Sequence, residues 1–138
     1  MLVTLQRRAR AYGYFSAERF IGRSEQEAAH ELALNPDHFG RTDKEFVATL
    51  VHELVHVWQQ AHGSAPRKCY HDREWAAKMK EVGLYPSDTG KPAGKETGQS
   101  VSHYIIEDGA FTSVFHVICA IGHLGLIGAR SGQSGCDP

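Results

Sequence analysis

The stretch His52-Glu53-Leu54-Val55-His56 decides the fold of this 138-residue chain. On an α-helix, residues four apart lie on one face, about 40° apart in projection at 3.6 residues per turn. Both imidazoles can therefore reach one metal ion, with the intervening glutamate beside it. This H-E-x-x-H arrangement supplies two zinc ligands and a general base. It predicts His52 and His56 as metal ligands and Glu53 as the catalytic residue.

The sequence around the motif predicts a long helix from Thr42 to Gly63. Thr42 and Glu45 form a capping-box pattern, and a glycine is typical of the residue that ends a helix. At 100° per residue, apolar side chains fill about half of the circumference, which is typical of a central core helix. Its polar stripe carries the motif. Burying two histidines and a glutamate without a partner would be costly, so the pattern favours a metal site.

A catalytic zinc site usually has three protein ligands and leaves the fourth position to water. The residue pattern predicts a second helix from about Asp72 to Val82, and a helix–loop–helix reversal would bring its first turn over the motif. His71 is the better candidate for the third ligand, and Glu74 is the main alternative. A surface or helix-capping role for His71 is the alternative interpretation. His62 would lie on the apolar side of a continuing helix and is set aside.

Short segments on both sides of the helices predict strands. Residues 2–6, 12–21 and 30–34 carry strand patterns, with a bend or bulge near the start of the second. Their short links suggest a small, mainly antiparallel sheet, so the fold class is α+β. Residues 84–100 are rich in Gly, Pro, Ser and Thr and predict a long loop. Residues 101–107 predict a further strand.

Two polar residues of that last strand, His103 and Tyr104, are candidates for transition-state donors. The oxyanion that develops during peptide hydrolysis needs a hydrogen-bond donor, and either side chain can provide one. An ordinary half-buried pair on a strand is the alternative interpretation.

Composition and charge narrow the class of protein. Hydrophobic residues make up 41% and charged residues 22%, as in a globular domain, and the net charge of −1 creates no global attraction to nucleic acid or anionic membrane. The arginines near the N-terminus are interpreted as a solvated strand face. The apolar segment 110–129 is broken by histidines and glycines, so a core helix or a poorly specified tail is favoured over a membrane span.

The three cysteines, Cys69, Cys119 and Cys136, are widely spaced and include no C-x-x-C pair. This spacing predicts neither a disulfide framework nor a zinc ribbon, and it suits a reducing compartment. The N-terminus lacks an apolar core of signal-peptide length. We therefore expect a cytoplasmic protein that does not bind membranes.

Several segments together resemble a known family. HELVHVWQQAHG, CYHDREWAAKM and VGLYPSDTGKPAGKETGQSVSHYI, preceded by VTLQRRARAYGYFSAERF and ELALNPDHF, look like the SprT-like metallopeptidase domain of bacterial, plasmid and phage-type proteins. The resemblance covers about residues 2–111. It implies a domain at 1–111 without the family's N-terminal helix, followed by an atypical C-terminal tail at 112–138.

The resemblance also implies a zincin-like fold, in which a small sheet packs on the central helix and a second helix. It implies that His52, His56 and His71 hold Zn²⁺ and that Glu53 is the base that acts on protein substrates. Spartan-type relatives cleave proteins crosslinked to DNA. The expectation that this chain associates with DNA rests on that resemblance alone. The oligomeric state is not predicted.

Two functions of different class remain open. The first is a zinc metalloendopeptidase that cleaves protein substrates, including DNA-associated proteins. The second is a non-catalytic, zinc-stabilised binding or regulatory domain linked to DNA or transcription. Proteolysis by the chain, and its dependence on Glu53, separates the two.

Overall fold

A computed structural model of the chain describes residues 1–23, 28–67 and 70–121. It has the predicted α+β class, with three helices and two small sheets among the described residues. In chain order the elements are β1 (Leu2–Leu5), β2 (Gly13–Ile21), β3 (Ala28–Leu34), a 3-10 turn (Pro36–His38), α1 (Asp43–His62), α2 (Arg73–Val82), β4 (Leu84–Ser87), β5 (Ser102–Ile105) and α3 (Ala110–Ala120).

Helix α1 begins and ends where the sequence predicts. The Thr42 hydroxyl accepts a hydrogen bond from the Glu45 N–H at 3.2 Å, and the Glu45 carboxylate accepts one from the Thr42 N–H at 3.1 Å. At the other end, Gly63 has an extended backbone rather than a left-handed one. What requires glycine here is space, because a Cβ would lie 2.7 Å from Glu74 Oε2.

Helix α2 spans nearly the range predicted for it. The Asp72 carboxylate accepts from the Trp75 N–H at 3.0 Å and caps the first turn. Gly83 ends the helix in the left-handed conformation, with φ of 96°. A Cβ on Gly83 would lie 2.5 Å from the Phe111 nitrogen, so the start of α3 packs directly on this glycine.

The first sheet has the order β1-β3-β2, in which β2 and β3 are antiparallel and β1 and β3 are parallel. With β4–β5 also antiparallel, two of the three pairings among the described strands are antiparallel, so the prediction of a mainly antiparallel arrangement is confirmed. The β2–β3 register shifts between Ser16 and Phe20, and Glu18 lies there with φ of 49°. The bulge is near the middle of β2, whereas the sequence predicted it near the start.

The prediction of a long loop for residues 84–100 is wrong for the first four of these residues. Leu84–Ser87 forms β4, which pairs with β5 in an antiparallel two-stranded sheet. Pro86 is tolerated because β4 has one neighbour, so the missing N–H can be at the unpaired edge. A local pattern could not identify this strand, because the strand that pairs with it lies 15 or more residues further along the chain.

One hydrophobic core joins the helices to the second sheet. Helix α1 contacts β2 and α2, and α2 in turn contacts β4 and α3. The buried core residues are Ala48, Val55, Trp75, Ala76, Met79, Leu84, Val101, Phe111 and Phe115.

The described part of the apolar segment 110–129 is helix α3, which puts Phe111 and Phe115 in the core but leaves Val114 and Val117 exposed, so the predicted core helix is buried on one face alone. It crosses the predicted boundary between residues 111 and 112, and the predicted tail beyond residue 121 lies outside the described residues. No helix within the described ranges is both long and apolar enough to cross a membrane. The cysteine spacing predicted no disulfide framework, yet Cys119 on α3 is disulfide-bonded.

Candidate metal centre

Three histidines converge at the centre of the molecule. His52 and His56 lie on α1, and His71 lies two residues before the first residue of α2. One ring nitrogen of each lies within 4.8 Å of the others. The ring centroids are 5.4 Å apart for His52 and His56, 5.6 Å for His52 and His71, and 4.8 Å for His56 and His71. This cluster can hold a metal ion.

The start of α2 is fastened to α1, which explains why His71 meets the motif. The fully buried Gln59 side chain, at the end of α1, donates to the Asp72 carboxylate and to Glu74 Oε2, both at 2.8 Å. Asp72 caps α2, so this hydrogen bond places the residue before it over the motif helix. No local pattern predicts this role for Gln59, because it depends on the reversal of the chain between the helices.

Glu74, the alternative third ligand, is engaged elsewhere. Its Oε2 atom accepts from the Ser64 N–H and from Gln59, both at 2.8 Å. It is not a member of the histidine cluster. Its carboxylate instead holds the chain as it leaves α1. His62 is the last residue of α1 and is exposed, so it also lies outside the cluster.

Trp75 forms the floor of the cluster. Its side chain is fully buried, and its ring centroids lie 5.0 Å from His52, 5.3 Å from His56 and 4.5 Å from His71. The sequence predicted only a core position on α2 for this residue. No local pattern signals that it reaches the site, because His71 lies outside the helix that carries Trp75.

Glu53 is buried beside the histidines in the same cleft, with 6% of its surface exposed. Burial raises the pKa of its carboxyl to about 8. No described residue donates a hydrogen bond to it. Gly13 of β2 lies beside it: a Cβ there would be in ordinary contact with Glu53 Cγ at 3.4 Å, whereas the close approach that excludes a side chain is 2.8 Å to the Ala33 carbonyl oxygen.

The two predicted donors on β5 lie on opposite faces of the strand. His103 faces the cleft, and its Nδ1 lies 3.0 Å from His52 Nδ1. Tyr104 does not line the cleft and stacks on Tyr85 of β4 at 5.2 Å. Successive residues of a strand alternate between faces, so only one of the two can reach the site. The structure brings His103 to the cluster and not Tyr104.

The electrostatics keep these imidazoles neutral at pH 7. Burial lowers the pKa of His52 and of His71, and it lowers the pKa of His56 to about 3. Burial, followed by the charge of Arg41, lowers the pKa of His103 to about 4. A neutral imidazole has a free lone pair on one nitrogen, which is the form that binds metal.

The cluster opens into a cleft of about 830 Å³. One wall is the loop before β2 and the first half of that strand, residues 8–17. The rest of the lining includes residues 66–67, 70–71, 88–89 and 99–103. The cleft is therefore formed by segments far apart in sequence, with the histidine cluster and Glu53 at its base.

The fold and this site define an α+β domain with a candidate three-histidine metal centre. The chain belongs to the SprT-like family, whose model matches residues 3–96. That membership suggests a metallopeptidase-type domain, and the resemblance noted from the sequence is confirmed. No curated protein and no solved structure matches the chain significantly.

Proposed function

We propose that this chain is a zinc-dependent metallopeptidase with a zincin-like active site, which hydrolyses peptide bonds in protein substrates. One observation carries the proposal: the nitrogens of His52, His56 and His71 lie within 4.8 Å of one another, with Glu53 buried beside them in an open cleft. Three protein ligands with an open fourth position are typical of catalytic zinc rather than structural zinc.

The donor set fits zinc. Neutral imidazoles are good zinc ligands, and the lowered histidine pKa values mean that protons compete little for them at pH 7. Bound there, zinc would polarise a peptide carbonyl and acidify a water molecule.

Glu53 would move the proton. Its carboxylate would accept a proton from the attacking water and deliver it to the leaving amine. The role requires a carboxylate that no neighbour holds in place, and no described side chain donates to Glu53.

The test is the isosteric change Glu53→Gln. We expect it to lower peptide hydrolysis by about 10²–10⁴-fold, because the general base is lost while the shape is kept. The variant should still bind one zinc per chain, measured on purified protein by atomic absorption. Glu81→Gln on the exposed face of α2 is the control and should retain full activity. A Glu53→Gln variant that cleaves peptides as fast as the wild-type chain would refute the proposed metallopeptidase function.

The identity of the third ligand has its own test. We expect His71→Ala to lose zinc, because two imidazoles alone bind it weakly, and Glu74→Ala to retain it. Zinc content of both variants, purified side by side, distinguishes them. Loss of zinc in Glu74→Ala alone would make Glu74 the ligand.

A second function keeps the zinc but not the reaction, as a binding domain for DNA or a DNA-associated partner. Arg8, Arg10 and Arg67 line the cleft, and none of them forms an ion pair with another described residue. Unpaired cations suit a phosphate backbone. Zinc binding and salt-sensitive binding of a DNA duplex, without any peptide hydrolysis, would favour this function over the enzyme.

A further inference from the structure

The short segment from Gly98 to His103 contacts two of the three clustered histidines. In each of the two rings the contact is made at the Nδ1 atom. The Gly98 carbonyl oxygen lies 3.1 Å from His71 Nδ1, and His103 Nδ1 lies 3.0 Å from His52 Nδ1. Both partners lie beyond residue 96, where the family match ends.

The contact with Gly98 fixes the tautomer of His71. A carbonyl oxygen can only accept, so His71 Nδ1 must carry the ring proton, and the lone pair is left on Nε2. The backbones of the two residues also pair in both directions, at 2.8 Å and 2.9 Å. The main chain and the ring of His71 are thus held by one residue.

The contact with His103 has the same consequence for His52. Two ring nitrogens 3.0 Å apart share one proton, so one donates and the other accepts. If His52 offers Nε2 to a metal, its Nδ1 carries the proton and donates to His103 Nδ1. The His103 proton is then on Nε2. The ring of His52 cannot rotate freely, because Trp75 packs against it at 5.0 Å.

We propose that Gly98 and His103 are positioning residues, which orient His71 and His52 so that both present Nε2 to the metal ion. The inference rests on the proposed zinc site and deepens it. Hydrogen bonds from the second nitrogen of a ligating histidine fix its orientation, and losing one typically lowers metal affinity by about 10–100-fold. It also changes the role predicted for His103, from a donor to the transition state to a partner of a metal ligand.

The first experiment measures the zinc dissociation constant by competition with a chromogenic chelator. His103→Leu should bind zinc about 10–100-fold more weakly, because the partner of His52 Nδ1 is removed. His103→Asn should recover most of that loss, since its side-chain oxygen can accept near the position of Nδ1. Tyr104→Phe, on the opposite face of β5, is the control and should match wild type.

A matched pair of glycines tests the other contact. Gly98 and Gly90 both have positive φ, 142° and 70°, so an alanine is strained at either. Only Gly98 contacts His71. We expect Gly98→Ala to weaken zinc binding at least tenfold more than Gly90→Ala, measured by the same competition. Equal zinc affinities in the two variants would overturn the role of Gly98.

Ring tautomers can be read in the unaltered protein by long-range ¹H–¹⁵N NMR of the zinc-loaded chain. The proposal requires His52 and His71 to carry their protons on Nδ1, and an Nε2–H tautomer at either would overturn it. If the wild-type chain binds zinc no more tightly than His103→Leu, the positioning role of His103 is overturned, but the proposed metallopeptidase function is not. Wild type that binds no zinc would overturn both.

Discussion

The two sides of the molecule differ in how they are held together. The block of α1, α2, α3, β4 and β5 contains every residue of the hydrophobic core cluster except Val101, which immediately precedes β5. The three-stranded sheet buries Leu32, Ala33 and Leu34 on its central strand, but it leaves Val3 62% exposed and Ile21 70% exposed. The candidate metal centre belongs to the first region, since its histidines lie on or beside α1 and α2. The sheet contributes one wall of the cleft.

This difference assigns separate roles to the two regions. A metal centre needs ligands held to a fraction of an ångström, and a dense core supplies that rigidity. The wall that a substrate would touch has fewer buried contacts, so it is expected to open locally at lower cost. The comparison therefore predicts that core substitutions affect both stability and zinc binding, whereas sheet substitutions affect stability alone.

The largest expected effect is at Trp75, where the core and the metal centre meet. Trp75→Ala should lower the free energy of unfolding by about 3–5 kcal/mol, because a fully buried indole leaves a cavity. Zinc affinity should fall with it, since the ring packs on all three histidines. Urea unfolding and chelator competition measure the two quantities. Trp58→Ala is the control. The Trp58 ring is half-buried under Lys78, so this substitution should lower the free energy of unfolding much less.

Gly83 tests the junction between α2 and α3 inside the same block. Gly83→Ala should lower the free energy of unfolding by about 1–3 kcal/mol. The φ of residue 83 is 96°, and a Cβ there would lie 2.5 Å from the Phe111 nitrogen. Thermal unfolding measures the loss. Gly40→Ala has open space and no positive φ, so it should change stability little. Equal losses in the two variants would contradict the tight contact described at Gly83.

The smallest expected effect is in the sheet, at the buried Glu31. Its carboxylate accepts from the Thr4 hydroxyl at 2.7 Å and the Tyr14 hydroxyl at 3.3 Å, and it pairs with Arg19 at 3.6 Å. Glu31→Gln should lower the free energy of unfolding, measured in urea, by about 1–2 kcal/mol, because the charged carboxylate that accepts these hydrogen bonds becomes a neutral amide. Burial and, after it, Glu31 raise the pKa of Tyr14, so that pKa should fall in the variant.

Zinc affinity provides the contrast for the Glu31 variant. If the sheet is only a wall, Glu31→Gln should bind zinc as tightly as wild type. Asp37→Asn, which removes a solvent-exposed pair with Arg7, is the control for stability and should change it by less than about 0.5 kcal/mol. A loss of zinc in Glu31→Gln would mean that the sheet and the metal centre are coupled.

Local signals in the sequence were sufficient for the helices. The capping box at Thr42, the cap at Asp72 and the left-handed glycine at Gly83 each act within one turn, so their residues lie within a few positions of one another. The capping box was predicted at the residues where it occurs, whereas the sequence placed the start of α2 near Asp72 without identifying its cap. Strand β4 and the parallel pairing of β1 with β3 were missed, because both depend on partners many residues away.

The sequence by itself determined the spacing of His52, Glu53 and His56, because a helix places residues four apart on one face whatever surrounds it. Only the tertiary structure decided which residues join them. His71 rather than Glu74 lies in the cluster because Gln59 ties α2 to α1. Trp75 and His103 reach it through packing and strand pairing that no local pattern encodes. Helix geometry is local, whereas the rest of the centre depends on contacts between distant segments.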